Sequence, residues 1–151
     1  MDSIPLSFSY IFNLFSLACV SVIVKTIMNS LIVDAAKDFI FLQIIKDDKS
    51  YTNEYSNSRE NFDRMGLFIF EHLNINNVNI NDLTNIFVNQ GPGNFTGIRA
   101  SIATCKAISV SNNINLYGFE SSQINDKNYN KLLDLLKKGV LIKKIIKPIY
   151  K

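Results

Sequence analysis

Residues 86–110 read IFVNQGPGNFTGIRASIATCKAISV, and this stretch decides the fold. The apolar run Ile86–Val88 is typical of a buried strand, and the small residues after Thr96 predict a helix that ends near Asn112. The glycine turn between them needs backbone angles that a side chain would forbid, which Gly91 and Gly93 supply, and a helix cap. The stretch therefore predicts a strand, a tight turn and a helix.

The glycine turn has two interpretations on its residues alone. It is either a simple strand-to-helix turn, with Asn94 or Thr96 as the cap, or an anion site built from free N–H groups at the helix start. It is not a Walker loop, because the Gly-Lys-Ser/Thr ending is absent, and it does not match G-x-G-x-x-G. Both interpretations stay open at this point.

Outward from this stretch, the chain predicts an α/β domain. Three runs rich in β-formers, at Leu31–Val33, Phe39–Ile45 and Ser50–Tyr55, predict an antiparallel meander. Apolar residues at spacings of three and four then predict a helix over Arg59–Leu73, and Asn115–Gly118 predicts a last strand. Crossovers of this order imply parallel pairing, so we expect a mixed sheet flanked by helices.

The end of the chain is basic. Leucines from Tyr129 to Lys138 predict a helix that Gly139 ends, and the residues from Lys131 onward contain seven lysines and one aspartate. Such a segment is usually a solvated helix face. The alternative is a contact with RNA phosphates, for which the candidates are Lys143, Lys144 and Lys147. The net charge of +3 is too small to indicate a nucleic-acid binder by itself.

The sequence offers little catalytic chemistry. Cys19 and Cys105 are far apart and form no disulfide framework, and we expect Cys105 to be a buried thiol. His72 is the single histidine and lies near the end of a predicted helix, which favours a structural role over a general base. We therefore expect no catalytic residue, no metal and no cofactor.

Residues 1–27 allow three interpretations. From Ile4 to Ile27 the chain is almost uncharged and approaches the length of a membrane span, which is about 20 residues. It has no basic start and no small-residue cleavage site of the kind a signal peptide carries. The stretch is an upstream mis-start before Met28, a membrane anchor, or a packed extra helix.

The segment GPGNFTGIRASIATCKAIS resembles the GPGSFTGxRIGxxxAKGLA signature of the TsaB family. The matching residues of this signature loop are Gly91, Pro92, Gly93, Phe95, Thr96, Gly97 and Arg99. Lys106 fits the family's lysine, NLYGFESSQ is similar to the family segment that follows, and the final KPIYK is similar to its closing residues. The resemblance covers residues 28–123 and the last residues of the chain.

The resemblance implies an RNase H-like domain of the actin/Hsp70/sugar-kinase type over residues 28–123. Residues 124–151 are then a reduced C-terminal helix and basic tail, and we expect faces that a second domain normally covers to be exposed. The implied role is a non-catalytic, cytoplasmic scaffold that binds TsaD, with TsaE, for threonylcarbamoyl transfer to adenosine 37 of tRNA. A homodimer, a membrane-anchored interaction protein and a remnant enzyme are the alternatives.

The resemblance also implies where partners meet. Pairing in the family uses the two helices of this domain, and the candidate interface residues here are Phe62, Met65, Ile69, Ala100, Ala103, Thr104 and Ala107. The family's Asp-Thr-Ser after the first strand is replaced by Asp34-Ala35-Ala36, which removes the hydroxyls of phosphate-binding relatives. We expect Asp34 to be a turn or capping residue.

Overall fold

The computed structural model describes residues 28–141, 143 and 146–150, and a five-stranded sheet forms its centre. The strands are β1 (Ser30–Asp34), β2 (Phe39–Lys46), β3 (Lys49–Ser56), β4 (Asn85–Asn89) and β5 (Asn115–Phe119). Their order is β3-β2-β1-β4-β5; β1, β2 and β3 pair antiparallel, whereas β4 runs parallel to both β1 and β5. The predicted mixed sheet is confirmed.

Within the described residues, four α-helices accompany the sheet, namely α1 (Arg59–Asp63), α2 (Met65–Ile75), α3 (Phe95–Asn112) and α4 (Lys131–Lys137). Sequence periodicity predicted one continuous helix over Arg59–Leu73. This prediction is wrong in one respect, because the segment forms two helices that are separated at Arg64. Arg64 has φ −95° and ψ 5°, outside the helical values, so the segment divides into α1 and α2. Ser58 caps α1 by accepting a hydrogen bond from the Asn61 N–H.

One face of the sheet packs against α1, α2 and α3. The sheet contributes side chains such as Leu31, Leu42 and Val88, which are fully buried. The helices contribute Phe62, Met65, Phe68, Ile69, Leu73, Ile98, Ile102, Cys105 and Ile108 to the same cluster. The predicted buried thiol at Cys105 is confirmed, and burial raises its pKa to about 12.

The other face of the sheet is covered by the segment from Ile124 to Leu141. Tyr129 stacks on Phe41 with ring centroids 4.4 Å apart, and Leu132 is fully buried against the same strands. Among the described residues, this segment therefore covers the second face of the sheet. The short C-terminal segment supplies the second apolar layer that a sheet buried on both faces requires.

None of the helices within residues 28–141 has the length and hydropathy that a membrane crossing requires. The three interpretations of residues 1–27 lie outside the described residues. The division of the chain at residue 123 stays a prediction.

Because α4 contributes to the second core layer, its apolar side chains should stabilise the whole fold. Leu132→Ala removes a fully buried side chain and should lower the free energy of unfolding by about 2–5 kcal/mol. Leu133→Ala, on the same helix and only half-buried, should cost less. Urea unfolding followed by circular dichroism measures both. Equal small losses would show that α4 is not part of the cooperative core.

Candidate functional site

The signature loop joins β4 to α3 and is held by hydrogen bonds to its own chain. The Gly91 N–H donates to the Asn89 Oδ1 at 2.8 Å, and the Asn94 N–H donates to the Ala36 carbonyl at 2.7 Å. Asn94, not Thr96, caps α3, because its side chain accepts from the Gly97 N–H at 2.8 Å. An anion would have to compete with these bonds, so the geometry favours the strand-to-helix turn.

Two glycines of the loop are required for space. A Cβ atom on Gly93 would lie 2.1 Å from the Ala36 carbonyl oxygen, and one on Gly97 would lie 2.2 Å from that of Ala35. Both distances are far inside van der Waals contact. Gly91 is different, because its φ of +105° suits glycine, and its peptide bond to Pro92 is cis. The sequence-based expectation that Gly93 also needs such an angle is corrected: the constraint there is space.

The exposed end of the loop carries an aromatic and cationic stack. The Phe95 ring lies 5.0 Å from the Tyr150 ring, centroid to centroid, and the Arg99 guanidinium lies 5.1 Å from the Phe95 centroid. Phe95 and Tyr150 are 53% and 55% exposed, and Thr96 beside them is exposed as well. The last residues of the chain therefore reach back to the signature loop.

Asp34 ends β1 and ties three parts of the chain together. Its Oδ1 accepts from the Ala36 N–H and from the Asn89 side-chain amide, each at 3.0 Å. Its Oδ2 accepts from the Tyr129 hydroxyl at 2.7 Å. Burial and the Asp34 carboxylate raise the pKa of Tyr129. The predicted turn role of Asp34 is confirmed, and the carboxylate additionally anchors the C-terminal segment.

His72 is a satisfied core histidine. Its Nε2 lies 3.0 Å from the Tyr51 carbonyl, which can only accept, so this nitrogen carries the proton. Its Nδ1 accepts from the Asn76 amide at 3.3 Å. Burial lowers the pKa of His72, and the ring is 3% exposed. Within the described residues, no group of three or more His, Cys, Asp or Glu side chains is arranged to hold a metal ion.

The structure divides the predicted interface residues into two sets. Phe62, Met65 and Ile69 are 8%, 0% and 0% exposed and belong to the core of this chain. They are buried by their own chain in this structure, and their role in an interface stays a prediction. The spacing of three and four marks an apolar face without saying what covers it.

The second set lies at the surface of α3. Ala103 and Ala107 are exposed, and Ala100 and Thr104 are half-buried. Two large apolar side chains of α2 are exposed as well, Leu67 at 48% and Phe70 at 43%. We name the exposed surface of Leu67, Phe70, Ala100, Ala103, Thr104 and Ala107 the two-helix face.

Sequence reasoning missed Leu67. The signal was present, because Leu67 and Phe70 are spaced i, i+3 and so form a second apolar stripe on α2 beside the one that faces the core. The links from Asp34 to Tyr129 and from Phe95 to Tyr150 were also missed. They join residues far apart in the chain, and no local pattern marks them.

Comparisons with known proteins agree with this architecture. The family model TsaD, described as tRNA N6-adenosine threonylcarbamoyltransferase, matches residues 53–126. Among solved structures, "YeaZ from Pseudomonas aeruginosa" is 15% identical with a TM-score of 0.57, over 62% of this chain and 43% of that one. A protein "with similarity to peptidase YEAZ from Pseudomonas aeruginosa" is 16% identical with a TM-score of 0.58 and the same coverage. No curated protein matches the chain.

The predicted α/β class is confirmed: the mixed sheet flanked by helices has the fold of the YeaZ structures. The chain spans less than half the length of the two structures reported above. The predicted resemblance to the TsaB family is also confirmed, because the fold is similar to that of YeaZ, the TsaB homologue, and residues 53–126 match the TsaD family model.

The glycines of α2 and α3 provide a matched test of the loop geometry. Gly97→Ala should lower the free energy of unfolding by about 1–3 kcal/mol, because the added methyl group meets the Ala35 carbonyl. The methyl group that Gly66→Ala adds has no neighbour closer than 3.8 Å. This variant should raise the free energy of unfolding by up to about 1 kcal/mol, because alanine has a higher helix propensity than glycine. Urea unfolding of both variants measures the difference. Equal effects would contradict the close approach.

The Tyr129–Asp34 bond predicts a loss of stability in alkali. Because the folded-state pKa of Tyr129 is raised, its contribution is present below the unfolded pKa of about 10 and is lost as pH rises above it. Tyr129→Phe should reduce the loss of unfolding free energy at alkaline pH. At neutral pH the variant should have a free energy of unfolding lower by about 1–3 kcal/mol, because the buried Asp34 carboxylate loses a hydrogen-bond donor.

Unfolding curves between pH 7 and pH 11 measure this effect. Tyr129→Phe should still lose some unfolding free energy at alkaline pH, because burial also raises the pKa of Tyr55. Tyr150→Phe, at a ring that is 55% exposed, is the control and should be close to neutral. An unchanged alkaline fall in Tyr129→Phe would contradict the assignment.

Proposed function

We propose that this chain is a non-catalytic scaffold in the synthesis of threonylcarbamoyladenosine on tRNA and that it pairs with a TsaD-type protein. The observation that carries the proposal is the two-helix face: it exposes Leu67 and Phe70 of α2 beside the small residues Ala103 and Ala107 of α3. The TsaD-family match over residues 53–126 contains both helices.

The two-helix face has the composition of a helix-packing surface. Neighbouring exposed apolar side chains of this size are typical of a binding site rather than of solvent-facing helix. Ala103 and Ala107 stand one turn apart, and side chains this small let a partner helix approach closely. The two helices themselves are close, since a Cβ on Gly66 would be 3.8 Å from the Thr104 methyl.

Charged residues border the two-helix face instead of occupying it. Asp63, Arg64 and Glu71 are exposed around Leu67 and Phe70. An apolar centre with a polar rim is the usual anatomy of a protein interface. Both signs of charge are present, so the rim can orient a partner as well as keep the free chain in solution.

The geometry of Asp34 supports a scaffold over a remnant enzyme. Both carboxylate oxygens accept hydrogen bonds, from Ala36, Asn89 and Tyr129. A carboxylate engaged in this way is poorly placed to bind a metal or to activate water. TsaE as a further partner and a cytoplasmic location are parts of the proposal that rest on the TsaB resemblance.

Co-purification tests the proposal. The full chain should form a heterodimer with the TsaD-type protein of the same genome, seen by light scattering after size exclusion. Ala103→Glu with Ala107→Glu should weaken association more than about tenfold, because the new charges would be buried without partners. The control is Thr52→Glu, on the exposed edge strand β3, which should pair normally.

Three outcomes of this experiment are informative. A heterodimer that is weakened by Ala103→Glu with Ala107→Glu and not by Thr52→Glu supports the two-helix face as the binding surface. A homodimer with the same sensitivity shows that the face binds a second copy and contradicts pairing with TsaD. A monomer that ignores the TsaD-type protein contradicts the scaffold proposal.

A further inference from the structure

We infer that a second surface of α3 binds the sugar-phosphate backbone of RNA and stacks on one of its bases. This surface, the basic flank, consists of Phe95, Arg99 and Lys106 of α3 with Lys143, Lys147 and Tyr150 of the C-terminal tail. That the RNA is a tRNA rests on the proposed function. That the surface suits RNA rests on the charge, exposure and stacking described below.

Helix geometry separates the basic flank from the two-helix face. With 3.6 residues per turn, Phe95, Arg99 and Lys106 lie along one side of α3. Ala107, Ala100 and Thr104 lie about 100° to 160° further round the axis, with Ala103 between the two groups, and Thr104 is the residue that approaches α2. A partner that contacts Ala100, Thr104 and Ala107 therefore leaves the basic flank open.

The tail is held in place beside α3. Ile146 is 3% exposed and belongs to the main core. The Ile149 N–H donates to the Gln90 carbonyl at 2.7 Å, and the Gln90 side-chain amide donates to the Lys147 carbonyl at 3.0 Å. Lys143 shares with Lys106 a surface groove of about 620 Å³. The tail thus adds its cations to those of α3.

The charge of the basic flank has one sign. The sequence contains no aspartate or glutamate between Asp82 and Glu120, a range that includes all of α3 and β5, and none after Asp134. The chain as a whole carries 16 basic and 13 acidic residues, so this separation creates a positive side that the net charge of +3 conceals. A surface whose own segments contribute cations and no carboxylate side chain is suited to a polyanion.

The exposed aromatic stack favours RNA over an acidic protein. Phe95 and Tyr150 are each more than half exposed although they stack on one another, and Arg99 lies over the Phe95 ring. Exposed rings beside cations are the usual platform on which single-stranded bases stack. The solvated-face interpretation of the basic tail gives no reason for two exposed rings at this place.

Binding of an unmodified tRNA transcript by the full chain tests the inference. Fluorescence anisotropy at several salt concentrations gives both the Kd and its salt dependence. The test variant is Lys106→Gln with Lys143→Gln and Lys147→Gln. The control is Lys37→Gln with Lys49→Gln and Lys131→Gln, three lysines that are also exposed but lie off the basic flank. Both variants change the net charge equally, so a difference between them locates the site.

We expect the test variant to bind at least about tenfold more weakly at low salt, with a log–log salt slope lower by about two to three. The control should change affinity by less than about twofold. Phe95→Leu with Tyr150→Leu should weaken binding about fivefold or more and leave the slope unchanged, because stacking releases no counterions. Thermal melts confirm that each variant is folded.

Equal losses in the test and control variants would overturn the inference, as would the absence of tRNA binding by the unmodified chain. Co-purification with the TsaD-type protein separates this result from the scaffold proposal. The test variant should still pair, because its lysines lie off the two-helix face. If the chain binds tRNA through these lysines but does not bind the TsaD-type protein, the scaffold proposal is contradicted and the RNA-binding inference is supported.

Discussion

The close approach of α3 to the loop after β1 is the constraint on which the rest of the structure depends. At Gly93 and Gly97 the backbone of one element lies against carbonyl oxygens of the other, and neither position has room for a side chain. The Asn94 N–H completes the contact by donating to Ala36. The start of α3 is therefore fixed against the central strands, and this determines which sides of the helix are buried and which are exposed.

Asp34 extends the same constraint to the opposite face of the sheet. Through Asn89 it is linked to β4, and through the Tyr129 hydroxyl it is linked to the segment that covers the second core layer. A buried carboxylate is tolerated because all its bonds are made, and each lost donor costs about 1–3 kcal/mol. Asp34 therefore joins the two core layers of the domain.

Local patterns predicted the order of the elements well, because strands and helices repeat with different periods. They predicted neither the break at Arg64 nor which apolar stripe faces a partner. Phe62, Met65 and Ile69 have the same spacing whether their own sheet or another protein covers them. The burial of these three and the exposure of Leu67 and Phe70 depend on how α1 and α2 pack on the sheet, and that packing joins residues far apart in the chain.

The candidate site could be predicted only in part from the sequence, for a related reason. The signature loop was recognisable, since glycine, proline and a capping asparagine lie together in the sequence. The Asp34–Tyr129 bond spans 95 residues, and the stack of Tyr150 on Phe95 also joins distant segments. Contacts of this kind leave no periodic signal. The tail was noticed only for its lysines, although its position beside α3 is what makes those lysines part of a surface.

Helix α3 is consequently used on three sides. Residues such as Ile98, Ile102 and Cys105 face the core, small residues lie next to α2, and cations lie next to the tail. A helix with no acidic residue and few large exposed side chains is poorly explained as an ordinary solvent-facing helix, which would carry charges of both signs. The distribution is explained if one exposed side packs against a protein and the other meets a polyanion.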